Sequence, residues 1–143
     1  MYCFDTDVLS ATIRPEPSLP LIRRLAQVPP SDQFTTAIAM GELLYGAARR
    51  NSRNLSRRVG DLIRGAITIL PFDESAADIY GPLRAQLEAD GQPLAEPDLR
   101  IASIALSRDL ALVTGNTRHF ARVPGLIIEN WLASPDSKSP ADS

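Results

Sequence analysis

The chain has 143 residues, 44% of them hydrophobic and 22% charged, with a formal net charge of −2 at neutral pH. That length supports one domain able to bury a core without disulfide staples, and the composition excludes global disorder. No run approaches the ~20 apolar residues of a membrane span, the N-terminus lacks the basic flank and apolar core of a signal peptide, and the charge balance is not that of a strongly basic nucleic-acid-binding domain. A cytoplasmic protein is expected.

Strand-like runs fall at Tyr2–Phe4, Gln33–Thr35, Ile67–Leu70, Leu110–Thr114 and Leu126–Ile128, with helical segments between them. Val8–Ile13 is a short helix stopped by Pro15 and Pro17, and Leu19–Gln27 ends before Pro29 and Pro30, which cannot continue it. Ala37–Arg50 carries apolar residues at 38, 40, 43, 44, 47 and 48, the broad stripe of a packed helix, with Thr35 or Thr36 placed to cap it. Asp73–Asp90 starts with the cap-like Asp73, and Gly81-Pro82 predicts a break or kink near its middle. Leu99–Ser107 follows the start signal Pro97-Asp98. Strands separated by helices predict an α/β fold with a mainly parallel central sheet and helices on both faces. Residues 1–133 read as one domain, and the polar, proline-containing residues 134–143 as a disordered tail.

The loops at the carboxyl ends of parallel strands are the natural place for a site. Asp5 and Asp7 end the first strand in YCFDTDVLS, Glu42 lies early in the helix after the second, Asp98 opens a helix that leads into the strand ALVT, and Asn116 follows that strand in GNTRHF. These segments can meet at one sheet edge although they span more than a hundred residues. Two carboxylates 4 Å apart repel by about 4 kcal/mol at an effective dielectric near 20. Three in contact must therefore protonate, separate or bind a cation, and sparse oxygen ligands favour Mg²⁺ or Mn²⁺. On spacing alone, Asp5 and Asp98 read first as helix caps and Glu42 as a solvated helix residue, with the joint metal site as the other reading.

Taken together, FDTDVL, TTAIAMGELLYGA, DGQPLAEPDLRIASIAL and LALVTGNTRHFARVPGLIIENW resemble, in that order and across residues 2 to about 132, the PIN-domain ribonucleases of the VapC type, toxins of type II toxin–antitoxin pairs. The resemblance implies an α/β/α sandwich, a homodimer, Mg²⁺- or Mn²⁺-dependent endonucleolytic cleavage of structured RNA such as transfer or ribosomal RNA, and a cognate VapB-type antitoxin. It places Asp5, Glu42 and Asp98 as the acidic metal ligands and Asn116 among the catalytic residues. Thr6, Asp7, Thr114 and His119 fall around them or against substrate, with Asp7 able also to cap the first helix. Many members carry a fourth acid at position 116 or three residues later, and this chain departs from that pattern with Asn116 and His119.

Fourteen of the fifteen basic residues are arginine, the exception being Lys138. A codon bias explains that equally well as a need for bidentate phosphate contacts. Arg50, Arg53, Arg57 and Arg64 recur at helical spacing, so an RNA-backbone contact through Arg50, Arg53 and Arg57 stands beside a solvated amphipathic helix and, as the resemblance implies for helices here, part of an antitoxin groove. His119, the sole histidine, reads first as a substrate or loop contact, and titration near neutrality makes an acid–base role the other reading. Cys3, the sole cysteine, reads as a small apolar residue of a buried strand, and Trp131 and Phe120 as core or dimer residues. Two further functions compete: a PIN-like module that only binds a partner, and a haloacid-dehalogenase-type phosphatase, suggested by the Asp-x-Asp start. The phosphatase chemistry needs a lysine near the phosphate, and Lys138 lies in the expected tail.

Overall fold

The computed structural model describes residues 1–133, so the tail expected over residues 134–143, with Lys138, lies outside the described residues. The elements run β1 (Tyr2–Phe4), α1 (Thr6–Thr12), α2 (Leu19–Ala26), a 3₁₀ turn (Pro30–Asp32), β2 (Gln33–Thr36), α3 (Ala37–Arg50), α4 (Arg53–Ile63), β3 (Thr68–Leu70), α5 (Glu74–Ala89), α6 (Glu96–Ser107), β4 (Ala111–Val113), α7 (Thr117–Phe120) and β5 (Ile128–Glu129). The five strands form one parallel sheet in the order β3-β2-β1-β4-β5.

Alternation along short strands divides the core between the two faces. Cys3 and Leu112 point to the side packed by α5 and α6, among Leu83, Leu87, Ile101 and Ile104. Phe4 and Val113 point to the other side, among Val8, Leu9, Leu21, Leu43, Val59 and Trp131. Trp131 and Phe120 are buried in these two clusters, so both are core residues. The Trp131 ring meets Phe4 edge-on at 5.5 Å, and the Arg24 guanidinium lies 4.8 Å from its centroid.

Strand β1 pairs with β2 on one side and β4 on the other, which makes its carboxyl end the point where the strand order reverses. Because Phe4 is in register with Val113, the residues that follow, Asp5 and Thr114, are brought side by side.

Several local features differ from expectation. Helix α5 is continuous through Pro82. Gly81 and Pro82 are exposed, so water can serve the carbonyl that loses its donor, and Ala76, Leu83 and Leu87 hold both halves of the helix to the core. Helix α6 starts at Glu96, two residues before Asp98, which sits inside the first turn rather than opening it. Between α3 and α4 the chain turns at Asn51, in the left-handed region with φ 50°, and Ser52 caps α4. Arg50 therefore belongs to a different helix from Arg53 and Arg57, and the three do not share one helical face.

Candidate functional site at the sheet switch point

Asp5 is the N-cap of α1. One carboxylate oxygen accepts the Thr6 backbone N–H at 2.8 Å, and the other accepts the Thr114 hydroxyl at 2.7 Å. Asp5 is thus the capping residue, and Asp7, to which a capping role was also open, lies in the first turn of the helix. The Asp5 backbone N–H continues the ladder by donating to Val113 O at 2.9 Å. The side chain is 6% exposed, and burial is the main reason that its pKa is pushed up to about 6. The Thr114 hydrogen bond opposes that rise, and the nearby Asp7 and Asp98 charges reinforce it.

Asp7 projects toward the loop after β4, where its Oδ2 accepts the Gly115 backbone N–H at 2.9 Å. Its Oδ1 is buried and has no hydrogen-bond partner among the described residues. Desolvation raises the Asp7 pKa as well. Space is tight at Gly115: a Cβ there would stand 2.8 Å from Asp7 Oδ2 and 2.9 Å from Leu132 Cδ1, so both side chains would have to shift.

Glu42 comes from the second turn of α3, a helix whose start is fixed by the buried Thr36 side chain accepting the Ala39 N–H at 3.0 Å. The carboxylate is exposed, and Glu42 Oε1 accepts the Thr6 hydroxyl at 2.8 Å, which ties α3 to the start of α1. Asp98, half-buried at the start of α6, has a raised pKa, first by desolvation and then by the Glu42 charge; His119 pulls the other way and Asp7 adds to the rise.

Beyond β4 the Asn116 N–H donates to Thr114 Oγ1 at 3.0 Å, and His119 Nδ1 lies 2.5 Å from Asn116 Oδ1. An amide oxygen only accepts, so Nδ1 is the donor on this exposed ring. A chain of hydrogen bonds thus runs from His119 through Asn116 and Thr114 to Asp5.

The structure therefore gathers Asp5, Thr6, Asp7, Glu42, Asp98, Thr114, Asn116 and His119 at one edge. None of Asp5, Asp7, Glu42 and Asp98 has an ion-pair partner among the described residues. The donor set is all oxygen, one buried oxygen is unpartnered, and neighbouring carboxylates help raise the pKa values of Asp5 and Asp98, which fits a hard divalent cation. Among the described residues, no three His, Cys, Asp or Glu side chains converge on one point closely enough to ligate an ion together.

A cleft of about 440 Å³ leads away from Thr6 and Glu42 between α1, α3 and α4, and Arg14, Arg50 and Arg58 line it. Arg53 and Arg57 are exposed outside it. Gly115 and Arg14 escaped the sequence reading. The glycine of GNTRHF was the available signal for the first, whereas nothing near Arg14 in the sequence marked the second.

A sequence model of the PIN domain matches residues 2–126. The chain is 35% identical over 132 residues to the tRNA(fMet)-specific endonuclease VapC of Shigella flexneri, covering 91% of this chain and 97% of that protein. It is 30% identical over 139 residues to toxin FitB of Neisseria gonorrhoeae, covering 92% and 99%. Among solved structures, the fold is similar to that of VapBC2 from Rickettsia felis bound to a DNA fragment from their promoter, with a TM-score of 0.81, 29% identity, and coverage of 91% of this chain and 98% of that one. FitAcB from Neisseria gonorrhoeae gives a TM-score of 0.79 at 28% identity, with coverage of 92% and 98%.

Proposed function

Because the chain belongs to the PIN-domain family, in its VapC branch, we propose that it is a divalent-metal-dependent endoribonuclease toxin in which residues 1–133 form the PIN domain and Asp5, Glu42 and Asp98 hold Mg²⁺ or Mn²⁺. The observation that carries this reading is the assembly of four carboxylates at the sheet switch point with no cation paired to them among the described residues. A bound ion at such a site lowers the pKa of its water and offsets charge on a phosphoryl group.

The remaining parts belong to the chain itself. Thr114 and the Thr6 N–H fix both oxygens of Asp5, so that carboxylate is held in one orientation. The Thr6 hydroxyl does the same for one oxygen of Glu42. Asp7 draws the backbone at Gly115 toward α1 and so sets where Asn116 and His119 stand. Asn116 directs the His119 ring, whose Nε2 can meet a phosphate oxygen of the substrate. Asp98 or Glu42, with raised basicity in the first case, accepts the proton of the attacking water.

Relatives of this chain carry endonuclease names, and similar structures are toxin–antitoxin complexes. By that likeness the substrate is a structured RNA of the transfer or ribosomal class, the neutralising partner is a VapB-type antitoxin, and the toxin is a homodimer. No helix among the described residues is long and apolar enough to cross a membrane.

Purified chain, freed of any partner, is incubated with total cellular RNA in Mg²⁺, Mn²⁺ or EDTA beside its Asp98→Asn variant, and new 5′ ends are mapped. Discrete cuts that need metal and vanish in the variant are expected. Cuts that persist in the variant refute the assignment.

A second reading, a PIN-like module that only binds a partner, is favoured by the wide spacing of the carboxylates and by Asn116 and His119 at positions where an acid is common. Calorimetry separates the two: a binding module takes up Mn²⁺ no better than its Asp98→Asn variant.

A further inference from the structure

The carboxylates stand at the carboxyl edge of the sheet, with α1, α3 and α4 packed on one face and α6 and α7 on the other, and each of these sides carries an arginine-lined cleft. On the α1, α3 and α4 side, Arg14, Arg50 and Arg58 line the cleft that begins at Thr6 and Glu42. On the other side, a cleft of about 410 Å³ is lined by Gln92, Arg118 and Arg122. That second cleft adjoins the site through two links. Arg118 directly precedes His119, whose charge acts on Asp98, and the Arg122 guanidinium donates to Pro93 O at 2.9 Å on the loop that enters α6.

The charge on both flanks is available. Arg24, Arg84, Arg100 and Arg108 are tied to carboxylates, but none of the five cleft arginines has an acidic partner among the described residues. Arg58 and Arg122 each donate to a backbone carbonyl, Ile13 O and Pro93 O, which orients the guanidinium and leaves its charge unneutralised. Arg14, Arg50 and Arg118 are exposed.

We propose that one RNA strand crosses the carboxylate site and is gripped on both sides of the scissile phosphate, by Arg14, Arg50 and Arg58 in one cleft and by Arg118 and Arg122 in the other. The proposal rests on the ribonuclease reading above and extends it from the reacting atoms to the path of the substrate. A strand carries one charge at every nucleotide, so a phosphate placed at the carboxylates necessarily sends its neighbours out along both flanks. An acidic peptide has no such obligatory repeat and fits a single cleft as well as two. The flanking arginines also offset the repulsion that an acidic centre exerts on a polyanion, and their fork geometry matches phosphate oxygens.

The test measures binding of a fluorescent, unstructured RNA oligonucleotide long enough to span both clefts, by anisotropy over a salt series. The protein is the full chain carrying Asp98→Asn, which prevents cleavage during the titration. Arg14→Ala and Arg118→Ala are added singly and together. Each single substitution is expected to flatten the dependence of log K on log salt by about 0.7, and the pair by about 1.4, since each removes one phosphate contact to a single strand. Arg→Lys at the same positions is expected to restore most of the slope.

Unchanged slopes in both single variants, with thermal midpoints intact, overturn the track while metal-dependent cleavage by the unsubstituted chain leaves the ribonuclease reading standing. A response to Arg14 alone or to Arg118 alone overturns the two-sided grip. If the variants keep RNA binding and lose an acidic peptide instead, the clefts are a protein-docking surface and the proposal is wrong. Absence of both RNA binding and cleavage removes the track and the ribonuclease reading together.

Discussion

Replacing Asp5 by Asn is expected to stabilise the metal-free protein at neutral pH. The native carboxyl titrates at about 6 against an ordinary value of 3.8, chiefly because it is buried. A difference of about 2.2 pH units at about 1.4 kcal/mol each amounts to about 3 kcal/mol. The direction follows from proton counting. Between pH 3.8 and about 6 the unfolded chain has released this proton while the folded chain still holds it, so stability falls as pH rises and the loss is complete above about 6. Asn cannot ionise, and it caps a helix as well as Asp does. Its amide oxygen still accepts the Thr6 N–H, while its NH₂ must face Thr114 Oγ1, which requires that hydroxyl to turn. Losing one hydrogen bond of about 1 kcal/mol leaves a net gain of about 2 kcal/mol. For a chain of this size that is a rise of roughly 6–8 °C in melting temperature. The assay is calorimetric melting in EDTA from pH 4.5 to 8 for both proteins. The variant is expected to melt higher at pH 7.5, and the gap to close toward pH 4.5. A variant that melts lower at pH 7.5, or parallel pH profiles, would show that Asp5 is not held in an unfavourable ionised state and would sink the electrostatic account of the site.

Adding millimolar Mg²⁺ or Mn²⁺ at pH 7.5 should raise the melting temperature of the unsubstituted chain and leave that of Asp5→Asn nearly unmoved, because only a ligand of the native site stabilises it by mass action; equal shifts would place the ion elsewhere. Thr114→Val removes the hydroxyl that donates to Asp5, with an expected cost of about 1–3 kcal/mol at pH 7.5 and much less at pH 4.5, where the carboxyl is neutral; denaturant melts at the two pH values check it. Gly115→Ala places a methyl 2.8 Å from Asp7 Oδ2 and should cost about 1–3 kcal/mol and most of the RNA cleavage, read by melting and by 5′-end mapping. Thr36→Ala removes the cap of α3 and should cost about 1 kcal/mol in a urea melt while weakening cleavage less than Asp98→Asn does.

Much of this architecture was legible along the chain. Short strand-like runs gave all five strands to within about two residues, and the α3 stripe with its threonine cap set that helix from Ala37 to Arg50. Those patterns are local, since each is dictated by sterics and by which face must be buried. The acidic residues after β1, in α3 and at the start of α6 were also visible as carboxylates at the ends of strands and helices, and the resemblance ordered them into one site. Where the sequence misled, the deciding partners were distant. Pro82 signals a break, yet packing of Leu83 and Leu87 on the core keeps α5 in one piece. Arginines at helical spacing suggested one charged face, yet Asn51 turns the chain between Arg50 and Arg53. Arg14 gave no local signal, and its place in a cleft beside Arg50 and Arg58 depends on how α1, α3 and α4 pack.

The sequence alone thus determined which residue types are present and which elements carry them, because backbone periodicity and capping act over a few residues. Only the tertiary structure decided that Thr114 reaches Asp5 across 109 positions, that Asp7 holds Gly115 across 108, and that Thr6 links to Glu42 across 36. Those contacts follow from parallel pairing at the sheet's reversal point, where strand register rather than chain proximity selects neighbours. The raised pKa values have the same origin: burial and mutual charge arise only once separate segments share one low-dielectric edge.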